Sequence, residues 1–295
     1  MINKDLLKYI CCPKCKTDLN FKNDFLVCEG CKNQYEIRNE IPILLNLDNL
    51  PKHLQGQIRY FTNVCTNEYK LDEWKKSYMR RFTNIFREID NKLIVDSGTG
   101  SGYMAIELIK LGINNKVIAC DLTLKNLISL KKIAESFEIA NKILFVCCNA
   151  EELPFKSKIA DYFISNAILE HLPKEKEAIK EIDRVCSEMG RLMVTVPLSY
   201  KFLNPLFVPI YYILDKRIGH LRRYDERILI NKFSNWKLIK TYYPGHFEKV
   251  VRTLFSIIVK SCNYEKTEEK DRLKEEKKIG ASNIICFFEK MGLNP

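Results

Sequence analysis

The chain has 295 residues, 46% hydrophobic and 29% charged, which is ordinary for a globular protein of one large or two smaller domains. Its longest apolar run, residues 202–214, is interrupted and too short to cross a bilayer, and the first residues lack a signal-peptide core, so a cytoplasmic protein is expected. The formal charge of +11 is concentrated in residues 216–260, which hold 11 Lys and Arg against 3 Asp and Glu; this excess predicts either an acidic or phosphate-bearing partner or a solvated basic face.

Four cysteines near the N-terminus form two Cys-x-x-Cys pairs, Cys12-Pro-Lys-Cys15 and Cys28-Glu-Gly-Cys31. Two such pairs can supply four thiolates in a tetrahedron, the ligand set of a structural Zn²⁺ ion. Residues 18–27 between the pairs are typical of a hairpin that turns at Asn23-Asp24. A unit this small has too little core to fold without a metal. We therefore predict a zinc ribbon over residues 1–46, with Cys12 rather than Cys11 as first ligand; ordinary buried cysteines are the alternative.

Most of the other cysteines lie within apolar strand or helix patterns. Because free cysteine behaves as a small apolar side chain, these residues are expected to lie in the core without disulfides. The clearest examples are Cys120, Cys147, Cys148 and Cys286.

Residues 47–91 are predicted to form a helical connection. Apolar side chains recur there at steps of three and four residues, at Tyr78, Phe82, Ile85, Phe86 and Ile89. The cationic residues, among them Arg80 and Arg81, are expected on other faces. Such a helix could be a lid over the site described next, although core packing would also explain its pattern.

From residue 92 the sequence alternates between strand and helix patterns. Strands are predicted at 92–96, 116–120, 142–147, 159–165 and 190–196, and helices at 103–111, 123–138 and 174–188. This alternation is typical of an α/β fold whose parallel sheet is covered on both faces. Ligands of such sheets bind at the carboxyl ends of the strands.

A glycine-rich turn follows the first of these strands. The strand ends at Asp96, and Gly98, Gly100 and Gly102 precede a helix that starts at Tyr103. A strand, a glycine turn and a helix N-terminus together indicate a nucleotide-binding corner. The dinucleotide fingerprint would need glycine at position 103, and an acidic strand end suits a cationic ligand, so the pattern disfavours NAD.

Polar residues also follow the next strands. Asp121 ends the second strand, where a carboxylate can accept both hydroxyls of a ribose. Asn149 follows the third strand, where its amide could read an adenine edge. Leu122, Ala150, Glu151 and Asn166 lie beside these strand ends and complete the predicted cofactor site.

These motifs resemble those of class I S-adenosylmethionine-dependent methyltransferases, most closely the broad ubiquinone/menaquinone-biosynthesis-like group. The resemblance covers residues 92–197 and rests on Asp96-x-Gly-x-Gly-x-Gly, Asp121 and residues 149–155, 169–172 and 181–192. It implies a Rossmann-like seven-stranded sheet, to which 236–242 and 283–289 would add strands. It also implies that Asp96 holds the methionyl end of S-adenosylmethionine, Asp121 the ribose, and Asn149, where the family usually has Asp, the adenine.

The N-terminal unit resembles a zinc-ribbon family of short partner proteins of RNA- and protein-modifying methyltransferases. The likeness covers both cysteine pairs, residues 34–37 and residues 40–45. Glu36 and Glu40 stand where that family has Pro and Gly.

An insertion at about 198–225 is where methyltransferases of this type commonly form the acceptor side. His171, just after the fourth strand, is the best-placed candidate for a catalytic base. His220, Arg222, Arg223 and Tyr224 could bind a substrate phosphate or carboxylate, or form only a salt-bridged loop. The apolar residues 198–214 are expected to be core, a substrate tunnel or a membrane contact. Farther on, 246–262 is typical of an amphipathic helix, and the charged residues 264–278 of a solvated helix or loop.

The sequence thus predicts a methyltransferase domain over residues 92–295 behind a zinc ribbon and a helical lid. Its acceptor is expected to be lipid-like, a quinone, a lipid-linked glycan or another small molecule, with peripheral membrane contact left open. One alternative is an RNA base, because a ribbon ahead of such a domain resembles bacterial large-subunit rRNA guanine methyltransferases and the basic third could meet phosphates. A non-catalytic cofactor-binding module is the other alternative.

Overall fold

The structure is a computed structural model that describes residues 4–23, 25–45, 50–64, 69–246 and 264–292. Within these ranges the helices are α1 (Lys4–Leu7), α2 (Lys52–Val64), α3 (Glu73–Ile85), α4 (Tyr103–Leu111), α5 (Leu124–Ser136), α6 (Glu175–Val185), α7 (Val208–Ile218), α8 (Glu226–Lys232) and α9 (Tyr264–Arg272). The strands are β1 (Leu19–Lys22), β2 (Phe25–Cys28), β3 (Gln34–Arg38), β4 (Ile41–Pro42), β5 (Leu93–Ser97), β6 (Lys116–Asp121), β7 (Ile143–Cys147), β8 (Ala160–Asn166), β9 (Cys186–Pro197), β10 (Trp236–Tyr242) and β11 (Asn283–Lys290).

Seven strands form one sheet in the order β10-β11-β9-β8-β5-β6-β7. The five strands from β7 to β9 run parallel, and β11 lies antiparallel between β9 and β10. The chain builds the sheet outward from β5 to β7 and then returns to the other side of β5, so the strand order reverses between β5 and β8. The predicted Rossmann-like seven-stranded α/β fold is confirmed.

The central strands are apolar along their whole length because both faces of the sheet are covered. On β6, Val117 and Ala119 belong to the core shared with α4 and α5, whereas Ile118 and Cys120 belong to the core shared with α6 and α8. This alternation follows from the two-residue period of a strand. All four cysteines that were predicted to be small core residues are buried.

The boundary between α6 and β9 differs from the prediction. The helix ends at Val185 and the strand begins at Cys186, whereas the sequence predicts a helix to 188 and a strand from 190. Cys186 pairs with Ala160, but the next pair joins Arg191 to Tyr162, so the ladder is irregular between them. An irregular strand start of this kind lacks the alternation on which the prediction depends.

The N-terminal residues form an antiparallel sheet in the order β1-β2-β3-β4. Lys22 pairs with Phe25, which leaves a two-residue turn where the hairpin was predicted, and Asn23 has a positive φ of 53° there. The unit packs on the outer edge of the large sheet, where the N–H of Leu44 donates to the carbonyl of Cys147 at 2.8 Å.

Helix α3 buries the apolar face that was predicted for it, through Tyr78, Phe82 and Phe86. Arg81 was predicted to lie on another face of this helix, and its side chain is fully buried there against α9. Its Nε donates to Glu275 at 3.0 Å, and its Nη2 lies 4.0 Å from Asp271. The prediction that 264–278 is a solvated charged segment is therefore wrong for this face, because buried Asp271 lies in it and opposes Arg81.

The apolar segment 198–214 divides between core and surface. Leu198 and Leu203 are buried, whereas Leu206, Tyr212 and Ile213 are more than half exposed. The amphipathic helix predicted at 246–262 lies outside the described residues except for His246. In the described ranges, helices fall short of the length and apolar character that crossing a membrane requires.

Candidate functional site

A cavity of about 270 Å³ opens at the carboxyl ends of β5, β6, β7 and β8. This is the point at which the strand order reverses, where open α/β sheets bind their ligands. Helices α2 and α3 contribute Leu54, Gln57, Phe61 and Trp74 to its wall. The predicted helical connection therefore lies against the cavity, as a lid would.

The glycine turn after β5 shapes one side of the cavity. Gly98, Gly100 and Gly102 have positive φ values of 67°, 52° and 71°. A Cβ on Gly98 would lie 1.9 Å from Ile168, and one on Gly102 would lie 2.0 Å from Leu130. A Cβ on Gly100 would meet no described atom nearer than 3.9 Å. Gly100 thus leaves open space in which a ligand can lie against the main chain.

Asp96, at the end of β5, lies just behind the cavity wall. Its side chain is 2% exposed, and its Oδ2 accepts a hydrogen bond from Thr99 Oγ1 at 2.6 Å. Thr99 itself lines the cavity. Burial raises the pKa of Asp96 to about 6, although the Thr99 hydrogen bond opposes this shift. A cationic ligand nearby would favour the ionised carboxylate.

Asp121, at the end of β6, lines the cavity and is held by two main-chain donors. Its Oδ1 accepts the N–H of Thr123 at 2.8 Å, and its Oδ2 accepts the N–H of Gly100 at 2.9 Å. Burial raises the pKa of Asp121, while these two N–H groups oppose the shift. Each carboxylate oxygen keeps a second lone pair, so the group can still accept ligand hydroxyls.

The loop after β7 brings Asn149 and Ala150 to the cavity, next to Leu122. Asn149 Oδ1 accepts the N–H of Glu151 at 3.0 Å, which fixes the amide. Glu151 is 5% exposed, and its Oε1 accepts the N–H of Lys174 at 2.7 Å. Glu151 therefore positions the loop, whereas its neighbours face the ligand space.

The last residue of β8 is the remaining predicted cofactor residue, Asn166. Its Nδ2 donates to the hydroxyl of Tyr103 at 3.1 Å, and both side chains line the cavity. Ile168 and Leu172 continue this wall as apolar surface.

Several lining residues were not predicted from the sequence. Thr123 was recognisable as a helix N-cap type two residues after Asp121, and Asn126 follows about one helical turn later. The contributions of α2 gave no comparable signal, because they depend on how a separate helix packs. The unpredicted residues include Thr99, Ser101, Tyr103, Thr123, Asn126, Phe61 and Trp74.

His171 lines the cavity on the side of Ile168 and Leu172. Its ring packs edge-on against Phe61 and His220, with centroid distances of 5.4 and 4.7 Å. Burial, followed by the charge of His220, lowers the pKa of His171 to about 3. The imidazole is therefore neutral at physiological pH, but it is a weak base in this environment.

The other predicted substrate residues are held by internal contacts. Arg223 donates to both oxygens of Asp215, at 2.6 and 2.9 Å, and Tyr224 donates to Glu175 at 2.6 Å. Arg222 Nη1 donates to the carbonyls of Leu169 and Leu172 at 3.0 and 2.6 Å. The salt-bridged loop that the sequence left as an alternative describes these three residues well. His220 is also held by Asp215, which lies 2.9 Å from its Nδ1, but the rest of its ring faces Glu170 and His171.

The four predicted metal ligands lie together in the N-terminal unit. The sulfur atoms of Cys12, Cys15, Cys28 and Cys31 are all within 4.8 Å of one another. The Cys12–Cys31 and Cys15–Cys28 distances are 3.6 and 3.3 Å, close to the ~3.8 Å between thiolates of a tetrahedral zinc ion. Tyr35 supports the cluster, with its hydroxyl 3.2 Å from Cys12 Sγ. Four closely spaced thiolates are a donor set that suits Zn²⁺.

Residues 95–194 match the family model of the methyltransferase domain. The chain is 31% identical over 124 residues to the ubiquinone/menaquinone biosynthesis C-methyltransferase UbiE of Rickettsia prowazekii, a match that covers 41% of this chain and 48% of that protein. The corresponding protein of Rickettsia bellii is 29% identical over 124 residues, with the same coverage of both chains. The chain thus spans about half the length of the curated relatives it matches.

Solved structures share the fold at low sequence identity. Geranyl diphosphate C-methyltransferase from Streptomyces coelicolor has a TM-score of 0.59 and 11% identity, covering 81% of this chain and 99% of that one. The [4+2]-cyclase SpnF has a TM-score of 0.59 and 13% identity, and the match covers 82% of this chain and 98% of that one. Since a cyclase shares the fold, the architecture alone does not determine the reaction. Residues 95–194 thus match a methyltransferase domain, and their motifs are similar to those of class I S-adenosylmethionine-dependent methyltransferases.

Proposed function

We propose that the chain transfers a methyl group from S-adenosylmethionine to a small, largely apolar acceptor such as a quinone, another lipid-like molecule or a lipid-linked glycan. The observation that carries this proposal is a single cavity in which polar strand ends and a glycine cradle adjoin an apolar wall. When bound, S-adenosylmethionine supplies an electrophilic methyl group on a sulfonium. The contribution of the chain is to align this group with the acceptor.

The polar side of the cavity fits the cofactor. In this proposal Asp121 accepts the ribose hydroxyls, Asn149 and Ala150 contact the adenine, and the Gly98–Gly100 backbone lies against the methionyl end. Asp96 stabilises the cationic amino group from behind the wall, through the loop that carries Thr99. The open space beside Gly100 supports this assignment.

The apolar side of the cavity fits the acceptor. Phe61, Ile168 and Leu172 are among the apolar lining residues, and His171 is a polar side chain beside them. The matched relatives are named as C-methyltransferases of ubiquinone and menaquinone biosynthesis, which supports an acceptor of quinone-like character.

Helix α7 and the turn before it, residues 205–207, support a lipid-like acceptor in a second way. Leu206, Tyr212 and Ile213 expose 76%, 54% and 66% of their surfaces beside Lys216. An exposed apolar face next to cations is typical of a membrane-surface helix. We propose that this face contacts an anionic lipid surface, which co-sedimentation with anionic vesicles tests; the double substitution Leu206→Ser and Ile213→Ser should abolish the association.

The structure gives less support to an RNA acceptor. Part of the basic excess of the C-terminal third is neutralised within the protein, by the pairs Arg223–Asp215, Lys232–Glu175 and Lys240–Glu276. Steeply salt-dependent binding of RNA would require these cations to be available to phosphates.

We also propose that Cys12, Cys15, Cys28 and Cys31 bind one structural zinc ion. All four tetrahedral positions are filled by thiolates, so the ion would stabilise the N-terminal unit and take no part in methyl transfer.

Two experiments test the proposed function. Calorimetry should show binding of S-adenosylmethionine to the purified chain, and absence of binding would refute every enzymatic version. A cell extract treated with the enzyme and a methyl-labelled cofactor should then carry label in the lipid fraction. Label confined to RNA or protein would refute the proposed acceptor class while leaving the methyltransferase activity intact.

A further inference from the structure

Glu170, His171 and His220 form a polar cluster at the acceptor end of the cavity. Each of them offers one ligand atom, and the three atoms lie within 4.8 Å of one another. Glu170 is 1% exposed and His171 is 8% exposed. Within the described part of the chain, Glu170 Oε2 and His171 Nδ1 are buried without a hydrogen-bond partner. Buried polar atoms of this kind normally contact a hydrogen-bond partner or a cation, because leaving them unpaired is destabilising.

We propose that Glu170, His171 and His220 bind a divalent transition-metal ion, separate from the zinc of the N-terminal unit. Two imidazole nitrogens and one carboxylate oxygen form a three-residue set that suits Zn²⁺ and leaves a coordination position open. Ligand atoms around a tetrahedral zinc ion lie about 3.4 Å apart. The side chains therefore need to close by about 1 Å from their present positions, a shift within the range of small rotamer adjustments.

The surroundings of His220 are those of a metal-binding histidine. His220 Nδ1 lies 2.9 Å from Asp215 Oδ1, which leaves Nε2 directed toward Glu170, 3.8 Å from its Oε1. A carboxylate that accepts the proton of the far ring nitrogen fixes the tautomer and raises the basicity of the nitrogen that faces the metal. Asp215 is itself held by Arg223 and Tyr200. The histidine thus has little freedom to turn away from the cluster.

The cluster is also held in place through the main chain. The N–H of Leu221 donates to the carbonyl of Glu170 at 2.8 Å, so the insertion is tied to the segment after β8. His53 Nε2 lies 2.8 Å from the carbonyl of His171. These contacts bring the ligands together from two distant parts of the sequence.

The nearby cations do not prevent metal binding. Arg223 is neutralised by its paired contact with Asp215, and Arg222 lies 3.9 Å from Glu175 and donates to carbonyl groups. With Glu170 as ligand, a divalent ion would be partly neutralised within the cluster itself.

The position of the cluster indicates what the ion would do. His171 lines the cavity among the apolar residues of the acceptor side, so the open coordination position would face the acceptor. An ion there would bind an anionic oxygen of the acceptor, as in an ionised phenol or enol, and orient it. This second step rests on the proposed function, whereas the metal site does not.

Metal content and titration test the site on the full-length protein. Protein that carries one zinc ion per chain, from the N-terminal unit, is titrated with Zn²⁺ by calorimetry. We expect one further ion per chain, and Glu170→Gln and His220→Gln should each weaken its binding about 100-fold or more. Glu177→Gln is the matched control, since Glu177 is an exposed carboxylate that pairs with Lys180. X-ray absorption at the zinc edge of the loaded protein should show nitrogen and oxygen neighbours of zinc in addition to the four sulfur atoms.

The results that would overturn the site are specific. The site is refuted if the titration shows no second zinc ion. It is also refuted if a second ion binds with unchanged affinity to Glu170→Gln and His220→Gln, with thermal melting showing that both variants are folded. In that case Glu170 would hold a proton instead of sharing a metal. Asp215→Asn should weaken binding about 10- to 100-fold if Asp215 orients His220. Cofactor binding, measured on the same preparations, tests the proposed function separately.

Discussion

Replacement of Asp121 by alanine is the sharpest test of the cofactor site. In the structure the carboxylate accepts the N–H groups of Thr123 and Gly100 at 2.8 and 2.9 Å, so it fixes the strand end against the glycine turn. In the proposed complex it would also accept the two ribose hydroxyls. Hydrogen bonds to a charged group contribute roughly 1.5–3 kcal/mol each and are not additive.

A net loss of about 3 kcal/mol is therefore expected for Asp121→Ala, which corresponds to roughly 100-fold weaker binding of S-adenosylmethionine. Asp121→Asn keeps one acceptor oxygen and should lose about tenfold. His171→Ala, on the acceptor side of the cavity, should change cofactor affinity far less. Calorimetry with the cofactor measures all three variants.

Asp161→Ala is the matched control for this test. Asp161 also caps a main-chain donor of the sheet, the N–H of Leu93 at 2.8 Å, but it lies at the start of β8, at the opposite end of the strands from the cavity. It should lower thermal stability without changing cofactor affinity. If Asp121→Ala and His171→Ala weakened binding equally, the assignment of Asp121 to the ribose would be refuted.

Four further predictions concern the rest of the chain. Cys28→Ser should release the zinc of the N-terminal unit and lower the melting temperature of this unit, whereas Cys11→Ser should retain the metal. Retention of zinc in both variants would refute the proposed four-cysteine site. Gly102→Ala should destabilise the protein by about 1–3 kcal/mol, because its Cβ would lie 2.0 Å from Leu130, while Gly56→Ala, with open space around it, should be neutral or slightly stabilising. Arg81→Met should cost about 3 kcal/mol in denaturant unfolding, since it removes the buried guanidinium beside Asp271 and leaves Glu275 paired with Arg80 alone, and exposed Arg87→Met should cost little. The raised pKa of Asp96, about 6, means that the free folded protein binds this proton more tightly than the unfolded chain, so stability from this group is lost as pH rises from about 4 to 6. Asp96→Asn, which keeps an acceptor for Thr99, should therefore melt higher than the wild type at pH 7.5, melt equally at pH 4, and bind the cofactor more weakly.

Most residues that the sequence predicts for the cofactor lie around one cavity, because their signals are local. Asp96, the three glycines and Asp121 lie next to strand ends, and the parallel sheet brings all strand ends to one edge. The same reasoning predicted five of the strands, since the alternation of strand and helix requires a covered sheet, whereas the strands at 236–242 and 283–289 came from the family resemblance. The exposure of charged side chains was harder to predict where opposite charges are buried as pairs. Arg81 has the local pattern of a surface residue, and its burial depends on carboxylates about 190 residues later in the chain.

The acceptor side depends on contacts that local patterns do not encode. Arg222, Arg223 and Tyr224 read as substrate ligands because they are clustered and polar, but each has its partner inside the protein: two carbonyls, Asp215 and Glu175. Those partners hold the insertion against the segment after β8, and in doing so they place His220 beside Glu170 and His171. The residues that seemed to bind the acceptor therefore act one step away from it, by assembling the three side chains that we propose to hold a metal there.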